Sequence, residues 1–172
     1  MIYFQCDYEE GCHPAILKKL QETNLEQTVG YSMDPYCASA REKIKKAIAR
    51  SDADVHFLVG GTQTNMTVIA AALKPWQGAI CADTGHIACH ETGAVEATGH
   101  KVLALPSEDG KITAEQIEET VKKHYADGSH EHIVQPGMVY ISFPTESGTL
   151  YSKQELTDIY AVCKAHDMPL FI

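Results

Sequence analysis

Three features of the sequence predict an α/β fold, a three-layer sandwich built on a mostly parallel sheet. Short runs that are apolar throughout, among them "GAICAD", "HKVLALP" and "GMVYISFP", recur after residue 50. Longer segments with helical spacing lie between them. A strand apolar on both faces must be covered on both, and intervening helices supply that cover. With 172 residues, 44% of them apolar, the chain has the material for one such core.

Taken in order, "HPAILKKLQET" (residues 13–23) places Ile16, Leu17 and Leu20 on one helical face, with Pro14 suited to the first turn. Residues 24–34 read as a polar loop, and Pro35 opens a second helix running to about Arg50. "VHFLVG" (55–60) reads as a buried strand and "TNMTVIAAAL" (64–73) as a helix. Residues 78–83 form a strand, 90–97 a short helix, and 100–106 a strand. A turn at "SEDGK" leads to a helix over 113–126, opened by a Thr-x-Glu start. Residues 137–144 form a strand, 152–166 a helix, and "MPLFI" (168–172) begins another strand. The expected organisation is an amino-terminal arm with helices over residues 1–50, followed by the α/β region over 51–172. Domain boundaries fall in polar linkers rather than inside apolar strands, so the chain is expected to be the front part of a longer protein.

Composition narrows the function classes. The formal charge of −9, spread along the chain, argues against nucleic acid or an anionic membrane surface as a partner. No apolar stretch reaches transmembrane length, and "MIYFQCDYEEGC" holds no basic segment followed by an apolar block, so a cytoplasmic protein is expected. The six cysteines form no CxxC pair and are expected to be reduced, mostly buried thiols.

The chemistry concentrates in two places. In "FLVGGTQTN" an apolar run stops at Gly60 and Gly61, and Thr62 and Thr64 lead into a helix. Unpaired amides at a helix start, with the helix dipole behind them, make an anion pocket without a basic side chain. The spacing is neither a Walker A loop nor GxGxxG. A plain glycine turn, with Thr64 or Asn65 capping the helix, is the alternative. The second place, "ADTGHIACHETGA", follows the next strand at the same sheet edge and offers Asp83, His86, Cys89, His90 and Glu91. His86 and His90 could share a helical face as metal ligands with Cys89 or His100, but the pattern is neither HExxH nor a zinc ribbon, and no metal is expected. Surface histidines on a capped loop are the bland alternative. An imidazole able to stack on a heteroaromatic ring, beside a phosphate pocket, suits pyridoxal phosphate better than a nucleotide.

Five blocks, "DYEEGCHPAIL", "QTVGYSMDPYC", "DADVHFLVGGTQTN", "ADTGHIACHETGAVEATGHKVL" and "FPTESGTLYSKQEL", together resemble the low-specificity L-threonine aldolases, β-eliminating lyases of the fold-type I pyridoxal phosphate class. The resemblance spans essentially the whole chain in the family's order. It implies the first part of a fold-type I large domain and reversible cleavage of threonine, or another β-hydroxy-α-amino acid, to glycine and an aldehyde. It further implies pyridoxal 5'-phosphate as cofactor and a homodimer or homotetramer. On the family pattern Gly60, Gly61 and Thr62 hold the phosphate, and His86 stacks on the ring and assists proton transfer with Glu91 beside it. Tyr31 approaches the substrate, and Cys6 stands where many members carry a serine that binds the substrate carboxylate, although a thiol is a weaker donor.

This sequence departs from the family at the loop after "VYIS", where many members have a histidine and "PTESG" offers Thr145, Glu146 or Ser147. The family's Asp-Gly-Ala-Arg segment and Schiff-base lysine would follow Ile172. Lys101 precedes its strand, Lys111 lies in a turn, Lys74 ends a helix, and Lys122, Lys123, Lys153 and Lys164 fall on helices. None suits the cofactor, so these residues alone are expected to be inactive. A related fold-type I enzyme catalysing β-elimination or transamination, or a non-catalytic phosphate-binding module, are the other readings.

Overall fold

The computed structural model of the chain describes residues 3, 6 and 8–172; Asp7, which opens the first of the five blocks, lies outside them. The chain divides into two compact units, Met1–Phe57 and Leu58–Ile172.

The first unit carries helices α1 (Pro14–Thr23) and α2 (Pro35–Ala47). Each has proline in its first turn, where the missing N–H costs nothing, behind a residue whose side chain accepts from a free amide. His13 Nδ1 accepts from Ala15 N at 3.2 Å, and Asp34 Oδ1 from Cys37 N at 2.9 Å. Arg41 on α2 donates to the carbonyls of Ser32 and Val55 at 2.8 and 3.2 Å, tying together the backbone on either side of the helix. The face of Ile16, Leu17 and Leu20 is exposed, and neither helix buries a residue. Spacing gave the helix correctly, but among the described residues this unit has no sheet for the apolar face to pack against.

The second unit contains α3 (Gly61–Ala72), β1 (Gln77–Ala82), α4 (His86–Cys89), α5 (Ala94–Ala97), β2 (Val102–Leu105), α6 (Ala114–Ala126), β3 (Gln135–Tyr140), α7 (Lys153–Ala165) and β4 (Leu170–Phe171). All pairings are parallel, in the order β2-β1-β3-β4. Alternating side chains of the central strands face opposite layers. Ala79, Cys81, Met138 and Tyr140 pack with Ile69 of α3, Ile87 of α4 and Val95 of α5. Ile80, Ala82, Val139 and Ile141 pack with Ile117 and Val121 of α6 and Ile159 and Cys163 of α7. The predicted three-layer sandwich is therefore present, with a core on each sheet face. Each fully buried isoleucine contributes about 1.5–3 kcal/mol.

Both long helices of the second layer begin with a reciprocal capping box, Thr113 with Gln116 and Ser152 with Glu155. At α6 the glutamine, rather than the glutamate of the Thr-x-Glu reading, closes the box.

Three further expectations need correction. Residues 55–60 form no strand and lie mostly exposed, with Val59 at 94%. The run is apolar enough for a strand, but among the described residues no neighbouring strand pairs with it. The helix expected over 90–97 is confined to α5 at Ala94–Ala97, with α4 a separate short helix before it, because Thr92 and Gly93 adopt left-handed φ values of 53° and 75° and break the chain between the two. The thiols are all free, but only Cys81 and Cys163 are buried; Cys6 and Cys37 are half-buried, and Cys12 and Cys89 exposed. Among the described residues no helix is long and apolar enough to cross a membrane.

The topology marks one place for a ligand. The chain leaves β1 toward β2 on one side, whereas β3 leads to β4 on the other. The crevice beyond the carboxyl ends of β1 and β3 is thus the switch point where open parallel sheets bind ligands.

Candidate active site

The loops that leave the carboxyl ends of β1, β2 and β3 are laced together. Asp83 Oδ1, after β1, accepts from Ser107 N at 3.1 Å and Ser107 Oγ at 2.7 Å, after β2. The Asp109 carbonyl in turn accepts from Thr149 Oγ1 at 2.7 Å, after β3. Gly110 has φ +84°, and a Cβ there would lie 2.9 Å from Thr145, so only glycine lets these two loops approach so closely.

Within this frame the backbone N–H of His86 opens α4 and donates to Ser142 Oγ, beyond β3, at 3.4 Å. His86 therefore stands at the switch point between β1 and β3. Its Nδ1 lies 2.8 Å from Glu91 Oε1. The imidazole side chain keeps 39% exposure, whereas the Glu91 side chain has none. The same Glu91 oxygen accepts from Asn65 Nδ2 at 2.5 Å. A carboxylate accepts, so Nδ1 is the nitrogen that carries the hydrogen between them, and Nε2 has no hydrogen-bond partner among the described residues. Glu91 Oε2 is buried and has no partner among the described residues.

Asn65 joins the two places that the sequence singled out. It lies on α3, one turn beyond Gly61, so the helix start and the imidazole belong to one polar assembly. Thr64 N makes the first helical bond, to Gly60 O at 2.9 Å, which leaves the preceding amides of Gly61, Thr62 and Gln63 without a partner in the helix. Gly60 is the N-cap and supplies no side chain, while Thr64 Oγ1 turns back to the Gly60 carbonyl at 2.8 Å. Neither Thr64 nor Asn65 caps the helix. A Cβ built at Gly60 or Gly61 meets nothing within 4 Å, so the backbone at the helix start is uncrowded, and Thr62 is exposed beside it.

The remaining residues of the second block are placed less centrally. Cys89 Sγ approaches the carbonyls of Thr84 and Gly85 at 3.2 and 3.4 Å, and burial, with Glu146 and Asp83 adding, pushes its thiol up. The His90 ring centre is 5.7 Å from that of His86. Among the described residues no group of three His, Cys, Asp or Glu side chains is placed to hold a metal ion. Cys6 and Tyr31 belong to the first unit; Tyr31 is fully exposed at a left-handed φ of 60°.

Two contributors were not singled out from sequence. Asn65 read only as a possible cap, although its position four residues after Gly61 puts both near one helical face. Tyr140 ends β3 and is buried beside the network. Burial raises its phenol pKa, with Glu91 and Glu146 adding to the rise and Ser142 and Asn65 opposing it. Nothing in the pattern "GMVYIS" distinguishes it from a core residue.

Comparison with known proteins identifies the family. The Beta-eliminating lyase family matches residues 9–172. The chain belongs to that family. It is 30% identical over 163 residues to a Low specificity L-threonine aldolase of Pseudomonas sp. (strain NCIMB 10558), covering 94% of this chain and 46% of that protein. The solved structure of Leishmania major Threonine Aldolase superposes with a TM-score of 0.89 at 48% identity, over 95% of this chain and 46% of that one. The chain thus spans about half the length of the relatives it matches. An archaeal alanine:glyoxylate aminotransferase shares the fold, with a TM-score of 0.68 at 17% identity, over 91% of this chain and 38% of that one. This Beta-eliminating lyase chain therefore has the fold of the fold-type I pyridoxal phosphate enzymes, as its sequence led us to expect.

Proposed function

We propose that the full-length protein carrying this chain cleaves threonine, or another β-hydroxy-α-amino acid, to glycine and an aldehyde, with pyridoxal 5'-phosphate as its cofactor. The observation that carries the reading is the chain Asn65–Glu91–His86, which connects α3, one turn beyond Gly61, to an imidazole at the switch point of the sheet. The donor set fits the cofactor: amides without a helical partner at two uncrowded glycines for a dianion, and a half-exposed imidazole linked to the same helix through Asn65 and Glu91 for a planar ring. Identities of 30% and 48% to threonine aldolases, against 17% to an aminotransferase, favour aldol cleavage over transamination.

When bound, pyridoxal phosphate supplies an electron sink for the pair released as the Cα–Cβ bond breaks. The protein's own groups do the rest. The amides of Gly61 and Thr62, with the Thr62 hydroxyl, would hold the phosphate, and the α3 dipole would add its positive end. Gly60 keeps the approach clear. His86 would lie against the cofactor ring and would accept or return a proton at Nε2. Glu91 orients the imidazole and offsets the positive charge when the ring is protonated. Asn65 holds Glu91 in place. On the family pattern Cys6 would help bind the substrate carboxylate and Tyr31 would approach the substrate. We also assign the protein to the cytoplasm as a homodimer or homotetramer, a reading supported by the exposed apolar side chains of the first unit.

The test uses the full-length protein. Threonine should release acetaldehyde, serine should give no pyruvate, and His86→Ala should reduce turnover while cofactor retention largely survives. Pyruvate from serine without acetaldehyde from threonine would favour β-elimination. Unchanged kinetics in His86→Ala would remove the role given to the imidazole.

A further inference from the structure

The loop beyond β3 carries Ser142, Thr145, Glu146, Ser147 and Thr149, and the structure separates their tasks. Thr145 is 5% exposed; its hydroxyl lies 2.6 Å from Thr149 Oγ1 and accepts from Thr149 N at 3.1 Å. Its capacity is used inside the loop. Ser147 faces the β2 loop, its hydroxyl 3.4 Å from where a Gly110 Cβ would stand. Ser142 accepts from His86 N and donates to Glu146 Oε1 at 3.2 Å. Only Glu146 is both exposed and on the His86 side of the loop.

Two carboxylates in opposite environments are thus linked to His86, one to its ring and one through Ser142 to its amide. Glu91 is sealed beneath the imidazole, while Glu146 stands open to solvent, one hydroxyl away from the His86 amide. Among the described residues no cationic side chain lies within ion-pair distance of Glu146. The upward push that Glu146 exerts on the Cys89 thiol and the Tyr140 phenol agrees with its place at the site. Differently housed carboxylates around one centre divide their duties.

We propose that Glu146 is the acceptor for the β-hydroxyl of the substrate and so selects hydroxylated side chains. The assignment rests on the proposed function. An amino acid brings a carboxylate, which an unpaired carboxylate repels, and an α-amino group, which is committed to the cofactor. The donor left for an acceptor-only group is the hydroxyl on Cβ. The same charge disfavours substrates with an anionic β-substituent.

The decisive experiment titrates the cofactor-loaded full-length protein with threonine, 2-aminobutyrate and 3-hydroxyaspartate, following the visible absorbance of the bound cofactor, which reads binding rather than turnover. In Glu146→Ala, threonine should bind about tenfold more weakly, the loss expected for a hydrogen bond to a charged acceptor. Binding of 2-aminobutyrate, which lacks the hydroxyl, should stay within about twofold, since no such bond is removed. Glu146→Gln, which keeps an oxygen but not the charge, should fall between for threonine and bind 3-hydroxyaspartate more tightly than the unsubstituted protein. Equal loss for threonine and 2-aminobutyrate, or no loss for either, would overturn the assignment while leaving the proposed function standing. A full-length protein that acquires no cofactor absorbance would overturn both.

Discussion

In Met1–Phe57 the side chains of Ile16, Leu17, Leu20, Ile44 and Ile48 stay exposed, while in Leu58–Ile172 those of Ile69, Ile80, Ile117 and Ile159 are shut away from solvent. Both regions form helices of similar length, with good caps. Their difference lies in what the helices rest on. The first unit has proline starts, side-chain caps and surface pairs such as Lys19–Glu22, and exposed pairs contribute little. Isolated helices of ten to thirteen residues are marginal on those terms. The second unit places every long helix against a sheet with both faces covered. Its candidate site is tied to helix α3 through Glu91 and Asn65 and to the end of β3 through Ser142, and precise positioning of an imidazole needs such anchorage.

The contrast can be broken most sharply in the core. Ile159→Ala or Ile80→Ala should destabilise the second unit by about 2–5 kcal/mol in chemical denaturation, through lost burial and the cavity left behind. A smaller loss is expected at the site. Glu91→Ala strands the buried Asn65 amide and frees the imidazole, costing about 1–3 kcal/mol and lowering kcat more than it raises KM. Leu20→Ala on α1 should change the stability of a dilute subunit by no more than about 0.5 kcal/mol. If the apolar face of the first unit joins subunits, the same substitution should lower the assembly's mass in sedimentation.

The smallest effects concern ionisation. Lys111 and the Ser152 cap hold the Glu155 carboxyl down to about 2 from its ordinary 4.5. A depressed carboxyl stabilises the folded state fully above its unfolded pKa and loses that contribution as pH falls through the folded value. The stability gap between the unsubstituted protein and Glu155→Gln should therefore narrow between pH 4.5 and about 2, as read by acid titration of the circular dichroism signal. Burial pushes the Cys81 and Cys163 thiols up to about 12 and about 11. Both should resist alkylation at neutral pH until unfolding, while the exposed Cys12 reacts first.

Much of the second unit was legible because its signals are local. Thr113 and Ser152 announce α6 and α7, and "GAICA" and "GMVY" are apolar on both faces because both faces are covered. What failed depends on partners distant in sequence. The run at 55–60 needed a neighbouring strand, and its apolar character says nothing about whether one is there. Residues 90–97 have helical composition, but left-handed Thr92 and Gly93 divide them. In the candidate site, His86 and Glu91 lie on one short stretch and could be suspected together. Asn65 is 26 residues from Glu91, and only the packing of α3 beside α5 brings them within hydrogen-bond reach. Ser142 is 56 residues from His86, and the strand order β2-β1-β3 makes them neighbours.

A crystal structure of the full-length protein grown with pyridoxal 5'-phosphate would test the central claim most directly. The account predicts the phosphate oxygens within hydrogen-bond distance of the Gly61 and Thr62 amides and the cofactor ring against the His86 imidazole. A cofactor seated away from α3, or one whose ring touches neither His86 nor its loop, would contradict it.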